Sequence, residues 1–150
     1  MDLVILGSTG SIGVQALEIV EANPDKFRVV ALAAGSSNLQ LLADQVKRFS
    51  VPVVGTTGER ETLTRMLSGA NQTDVIDGAK SASEIAAVAC DIVLNGISGS
   101  IGLGPTIAAL SVGNKVALAN KESLVAGGDL VMAFGRDQII PVDSEHSALY

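Results

Sequence analysis

The chain has 150 residues, 47% of them apolar and 17% charged, with 10 basic against 16 acidic side chains and a formal net charge of −6. That composition excludes a disordered tail, and an acidic balance with three Phe, one Tyr and no Trp argues against a protein that neutralises phosphates and stacks bases of nucleic acid. One cysteine, Cys90, makes neither an internal disulfide nor a cysteine-based zinc site, which fits a reducing compartment. No apolar run approaches the roughly 18 residues that span a bilayer. The start, Met1 and Asp2 before four apolar residues, lacks the features of a signal peptide. The expectation is one cytoplasmic domain without membrane or nucleic-acid partners, burying roughly 70% of the surface of its unfolded chain in an aliphatic, alanine-rich core.

The first strand is expected at 3–6, opening onto the glycine turn GSTGSIG at 7–13. Ile12, Ala16, Leu17, Ile19 and Val20 then recur at helical spacing up to Asn23 and Pro24. A second strand at 27–34 closes on GSSN at 35–38, and Leu39, Leu42, Ala43 and Val46 outline the next helix. A third strand follows at 51–54, a helix at 59–67, a strand at 74–76, a helix at 81–89 and a strand at 91–94. The remaining elements are a helix at 105–110, a strand at 115–118, a helix at 121–134 and a last strand at 138–140. Strands that alternate with helices and read as continuous apolar runs belong to a parallel sheet covered on both faces. Right-handed crossovers then give a doubly wound, Rossmann-like α/β fold, with no interdomain linker in the sequence.

The first strand–helix turn carries three glycines spaced G-x-x-G-x-x-G: Gly7, Gly10 and Gly13. Gly7 suits the sharp turn, Gly10 a close backbone approach to a pyrophosphate, and Gly13 tight packing of the helix on the sheet. Backbone N–H groups of Ser11 and Ile12 at the positive end of the helix suit an anion, and Ser8, Thr9 and Ser11 add hydroxyl donors. A tight turn with an N-capping serine and no ligand is the alternative; the placement and the three glycines favour a dinucleotide. About twenty residues on, an NAD site usually places an acid on the ribose 2′-hydroxyl. Here the stretch is Ala33, Ala34, Gly35, Ser36, Ser37 and Asn38, donors without a carboxylate, which favours NADP; an ordinary helix cap at Ser or Asn is compatible with it. Two later stretches place polar groups where strands end: Asn120, Lys121 and Glu122, and the D-S-E run from Asp143 to Glu145. In extended chain Asp143 and Glu145 point the same way, a pair of hard oxygen ligands suited to Mg²⁺ or Mn²⁺, although spacing alone equally describes a solvated turn.

LGSTGSIG, FRVVALAAG, NGISGSIGLGPTIAAL, LANKESLV and PVDSEHSAL follow one another through the chain, which in these segments resembles the 1-deoxy-D-xylulose 5-phosphate reductoisomerases. The resemblance implies an NADPH- and metal-dependent enzyme that isomerises deoxyxylulose phosphate and reduces the branched aldehyde to methylerythritol phosphate in non-mevalonate isoprenoid synthesis. It implies that Thr9, Gly10, Ser11 and Ile12 hold the pyrophosphate and that Gly35, Ser36, Ser37 and Asn38 surround the adenosine ribose phosphate. Asn120 and Glu122 match cofactor contacts, Lys121 and Ser144 substrate contacts, and Asp143 and Glu145 two metal ligands, while His146 is structural. Many members carry a lysine where this chain has Ser36 and Ser37. The family chain is much longer and homodimeric, so 1–150 is expected to be its NADPH-binding domain, with the catalytic region beginning at about 141. That domain is expected to bind cofactor without turning over.

Two other readings compete. A semialdehyde or acyl-phosphate reductase needs a catalytic cysteine, but Cys90 precedes a predicted strand, at the wrong end for ligand chemistry. A non-catalytic, dinucleotide-sensing Rossmann module needs only the glycine turn.

Overall fold

In the computed structural model, which describes residues 1–70, 72–119 and 121–142, strands and helices alternate as the apolar runs predict. The chain runs β1 (Asp2–Leu6), α1 (Ser11–Ala22), β2 (Arg28–Ala34), α2 (Leu39–Phe49), β3 (Val53–Thr56), α3 (Arg60–Met66) and β4 (Asp74–Asp77). It continues with α4 (Ser81–Ala86), β5 (Ile92–Asn95), α5 (Leu103–Ser111), β6 (Lys115–Leu118), α6 (Lys121–Met132) and β7 (Ile139–Pro141). Short 3-10 turns, Ser100–Gly102 and Arg136–Gln138, lead into α5 and β7.

The seven strands form one all-parallel sheet of order β4-β3-β2-β1-β5-β6-β7. Such a sheet needs cover on both faces, and the alternation of side chains along each strand divides the core accordingly. Ile5, Leu32, Val54 and Val75 pack with Leu17 and Val20 of α1, Leu42 and Val46 of α2 and Leu63 of α3. Val4, Leu6, Ala31, Ala33, Val93 and Val116 pack with Ile85 of α4, Leu110 of α5 and Val131 of α6. From β1 the chain builds outward to β4; α4 then returns it across the sheet, and β5 pairs with the other side of β1. The reversal of strand order beside β1 opens a crevice at the carboxyl ends of the strands, which is where open α/β sheets bind ligands. Among the described residues no helix is long and apolar enough to cross a membrane.

Three departures from expectation have a clear local reason. The third strand lies at Val53–Thr56 rather than 51–54 because Val51 belongs to the end of α2. Ser50 turns left-handed (φ 51°) and gives its N–H to Lys47 O, while Val51 N–H bonds Val46 O, a Schellman arrangement that uses the N–H before Pro52. The helix expected over 81–89 stops at Ala86, where Asn114 Nδ2 donates to the carbonyls of Ala86 (3.0 Å) and Val88 (2.9 Å) and so satisfies its last turn. The last helix is kinked, not continuous: Gly127 is non-helical, and a Cβ there would lie 2.6 Å from Leu103 Cδ1 of α5.

Candidate functional site

The glycine turn leaves β1 under β2, with Gly7 N–H and Ser8 N–H both donating to Ala33 O at 2.8 and 3.1 Å. Gly7 is left-handed (φ +74°), and a Cβ on it would sit 2.9 Å from Gly96 O. At Gly13 a Cβ would lie 2.4 Å from Gly7 O and 2.5 Å from Ser8 Cα, so α1 starts in direct contact with the turn's own backbone. Gly10 differs from both: its only near neighbour would be Gly7 O at 3.3 Å, and its open side faces the cleft. It is also the N-cap of α1, and no side chain caps that helix, so the serine-capped turn considered as an alternative is not what forms. Helix N-termini left without a capping side chain are available to an anion. Ser11 and Ile12 are exposed at this end and Thr9 is half-buried. Ser8 corrects one expectation: it is fully buried, so its hydroxyl is no donor to the cleft.

The cleft holds about 530 Å³. Its floor is Gly7, Gly10 and the end of β2 from Ala33 to Gly35; its walls are Thr57, the start of α4 and the loop of residues 96–101, with Gly104 and Pro105 behind. Among the described residues no charged side chain lines it. At Thr57 it meets a second pocket of about 450 Å³, bounded by Ser36, Leu39, Gly58, Glu59, Thr62 and Asp77. Glu59 there accepts from Thr62 Oγ1 at 3.1 Å. Thr56, fully buried at the end of β3, ties the pockets together by donating to Gly35 O (3.5 Å) while accepting from Gly58 N–H (3.0 Å). Asn38 does cap α2, its Oδ1 accepting from Leu41 N–H at 3.1 Å, beside exposed Gly35, Ser36 and Ser37.

Of the expected site, the structure therefore brings together Thr9, Gly10, Ser11 and Ile12 with Gly35, Ser36, Ser37 and Asn38 along one edge of the sheet; Gly10 and Gly35 line the cleft and Ser36 the second pocket, whereas Thr9, Ser11, Ile12, Ser37 and Asn38 line neither. Lys121 begins α6, and Glu122 is exposed in its first turn without lining either pocket. Asn120, Asp143, Ser144, Glu145 and His146 lie outside the described residues. Among the described residues no three His, Cys, Asp or Glu side chains come together as a metal site. Cys90 precedes β5, at the opposite edge of the sheet from the cleft, and burial pushes its thiol up to about 11. It has neither the place nor the ionisation of a nucleophile.

Sequence reasoning missed the residues that shape the cleft from behind. Asn95 and Thr106 brace the 96–102 loop, and Gln45 reaches from α2 to the glycine turn. Their one sequence signal is a polar residue at an otherwise apolar, core-facing position, such as Asn95 closing the run IVLN.

The fold and its switch-point cleft define a doubly wound, Rossmann-like α/β domain. The model of the 1-deoxy-D-xylulose 5-phosphate reductoisomerase family matches residues 3–128, and the chain belongs to that family. A reductoisomerase of Beutenbergia cavernae is 53% identical over 152 residues, covering 98% of this chain and 39% of the relative. The Zymomonas mobilis enzyme, solved in complex with NADPH, superposes with a TM-score of 0.89 at 37% identity over 97% of this chain and 39% of that one. A reductoisomerase solved with NADPH, fosmidomycin and magnesium gives 0.89 at 36% identity, over 97% and 37%. The chain thus spans 35% to 40% of the length of the relatives it matches.

Proposed function

We propose that residues 1–150 supply the NADPH-binding domain of a 1-deoxy-D-xylulose 5-phosphate reductoisomerase, with the catalytic region beginning near residue 141. The observation that carries this reading is Gly10: an uncapped helix N-terminus with an open side, set at the switch point in a cleft that no charged side chain of the described residues lines. A pyrophosphate fits there, against the backbone of Thr9 to Ile12, and a Cβ at Gly10 would project into its space. The adenosine end then runs over Gly35 toward α2. Glu59 and Asp77 disfavour a phosphate inside the second pocket, so we assign the 2′-phosphate to the exposed rim of Ser36, Ser37 and Asn38 at the N-terminus of α2. The nicotinamide half lies on the other side of the turn, against the 96–101 loop.

In the whole protein the cofactor supplies the hydride that reduces the aldehyde formed from deoxyxylulose phosphate; this segment binds and orients it and keeps water from one side of it. Asn120 and Glu122 complete the cofactor contacts, Lys121 and Ser144 contact substrate, and Asp143 and Glu145 hold a Mg²⁺ or Mn²⁺ ion. Two hard carboxylates suit those ions, which keep several waters when so few protein ligands are present. The fosmidomycin and magnesium in a relative support a small-molecule substrate held near a metal.

Titration of the chain with NADPH, followed by nicotinamide fluorescence and by calorimetry, tests the reading. Saturable one-site binding, weaker for NADH, is expected. No binding by the folded chain would refute it.

A further inference from the structure

One side chain reaches both ends of the cleft's wall at residues 96–101. Asn95, the last residue of β5, is fully buried, and both ends of its amide are used. Oδ1 accepts from Ile97 N–H at 3.1 Å, at the start of the loop. Nδ2 donates to Gly102 O at 2.9 Å and to Thr106 Oγ1 at 2.8 Å, at the loop's end. Thr106, itself buried, donates onward from Oγ1 to Gly102 O at 2.9 Å and closes a three-membered ring of hydrogen bonds. An asparagine can do this because it carries an acceptor and two donors in one plane; an aspartate of the same shape would turn a carboxylate oxygen toward the carbonyl of Gly102.

The ring pins the loop at both of its ends. The loop contains Gly96 and Gly99, the latter left-handed at φ +79°, and its apolar tip Ile101 is 76% exposed. Its first residue bears directly on the glycine turn: Gly96 N–H bonds Leu6 O at 3.0 Å, and Gly96 O is the atom a Cβ on Gly7 would strike. Gly96, Ile97, Ser98 and Ile101 face the cleft on the side away from Gly35.

We propose that Asn95, with Thr106, is a positioning residue for the nicotinamide half of the cofactor: it presets the 96–102 loop in its binding conformation, so that binding does not have to order it. The proposal rests on the function proposed above. Preorganisation of this kind appears as affinity, because the ordering cost is met on folding instead of on binding.

The test compares two probes on the folded chain. NADPH touches both sides of the glycine turn, whereas adenosine 2′-monophosphate reaches only the Gly35–Asn38 side. Asn95→Asp is expected to raise the Kd for NADPH about tenfold, two buried donor bonds being lost, and to leave the Kd for the adenosine fragment unchanged within about twofold. Thr106→Val should act in the same direction and Thr106→Ser, which keeps the hydroxyl, should restore wild-type affinity; this pair carries the test if Asn95→Asp does not fold. A purely structural role would lower the melting temperature and weaken both probes equally, or neither, and either result overturns the proposal. Failure of the unmodified chain to bind NADPH would instead count against the proposed function.

Discussion

The side-chain amide of Gln45, in the middle of α2, donates from Nε2 to the carbonyl oxygen of Ser8 at 2.8 Å. Gln45 is 6% exposed and Ser8 fully buried, so the bond runs through the interior from α2 to the glycine turn. It couples the helix whose N-terminus carries Asn38 to the turn that carries Gly10, the proposed seats of the 2′-phosphate and of the pyrophosphate of one ligand. Gln45→Met keeps the length and loses the donor, leaving a buried carbonyl unsatisfied. We expect a loss of about 1–2 kcal/mol in urea unfolding and a several-fold weaker NADPH affinity. Ser8→Ala is expected to cost far less, because Ser8 Oγ is buried with no hydrogen-bond partner to lose. Equal destabilisation by the two changes would contradict the assignment of this bond.

Gly10 and Gly13 should separate binding from folding. Gly10 is extended (φ −80°, ψ 171°), a conformation that valine adopts readily, and a Cβ on it would come near Gly7 O alone, at 3.3 Å. Gly10→Val is expected to abolish NADPH binding while the chain keeps a cooperative melt. Gly13→Ala drives a methyl into backbone at 2.4 Å that cannot yield without shifting α1, so it should destabilise by about 3 kcal/mol in the same melt. An intact affinity in folded Gly10→Val would remove the pyrophosphate from this turn.

Cofactor preference is a question of charge at the α2 rim. Ser37→Asp adds a carboxylate where the 2′-phosphate is assigned and is expected to weaken NADPH by about 1 kcal/mol, since an exposed site is screened by water and salt. NADH, which lacks that phosphate, should be little affected. The ratio of the two dissociation constants, measured at low and at moderate salt, is the check; a ratio that does not move would displace the phosphate from Ser37.

Cys90 gives a pH-dependent readout. Burial raises its thiol from 9.0 to about 11, with the carboxylates of Asp91 and Asp2 adding smaller upward effects. At pH 8 only about one thiol in a thousand is ionised, so maleimide labelling of the native chain should be slow and should accelerate on unfolding. The sign for stability follows: between pH 9 and 11 the unfolded chain has given up a proton that the folded chain keeps, so this thiol's contribution is intact below pH 9 and lost as the pH rises through 11. Rapid native labelling at pH 8 would show that the thiol is not so held.

The layered fold was legible in the sequence because its signals are local. Val4, Ile5 and Leu6 mark a strand buried on both faces, and Gly7, Gly10 and Gly13 have spacings that fit distinct jobs at a strand–helix turn. Asn38 could be read both as a cap and as part of the rim, and it is at least the cap. The start of β3 was misplaced because Val51 looks like a strand residue, and its role in closing α2 depends on Ser50 turning left-handed, which no composition rule predicts. Asn95, Thr106, Gln45 and Asn114 were not legible for another reason. Their partners lie from 2 to 37 residues away, brought into place by the folded chain, and a buried polar side chain has no periodicity to betray it.

The position of β1 in the sheet also sets an order of events at the ribosome. β1 to β4 are complete once Asp77 has been made, but the other edge of β1 waits for Ile92 to Asn95. At roughly 5–20 residues per second, that is about a second or more in which the middle strand of the finished sheet presents a bare row of hydrogen-bonding groups. An open edge of this kind templates pairing between nascent chains. Slow codons or chain breaks between residues 78 and 92 should therefore turn yield into aggregate, whereas an interruption after residue 95 finds that edge already closed.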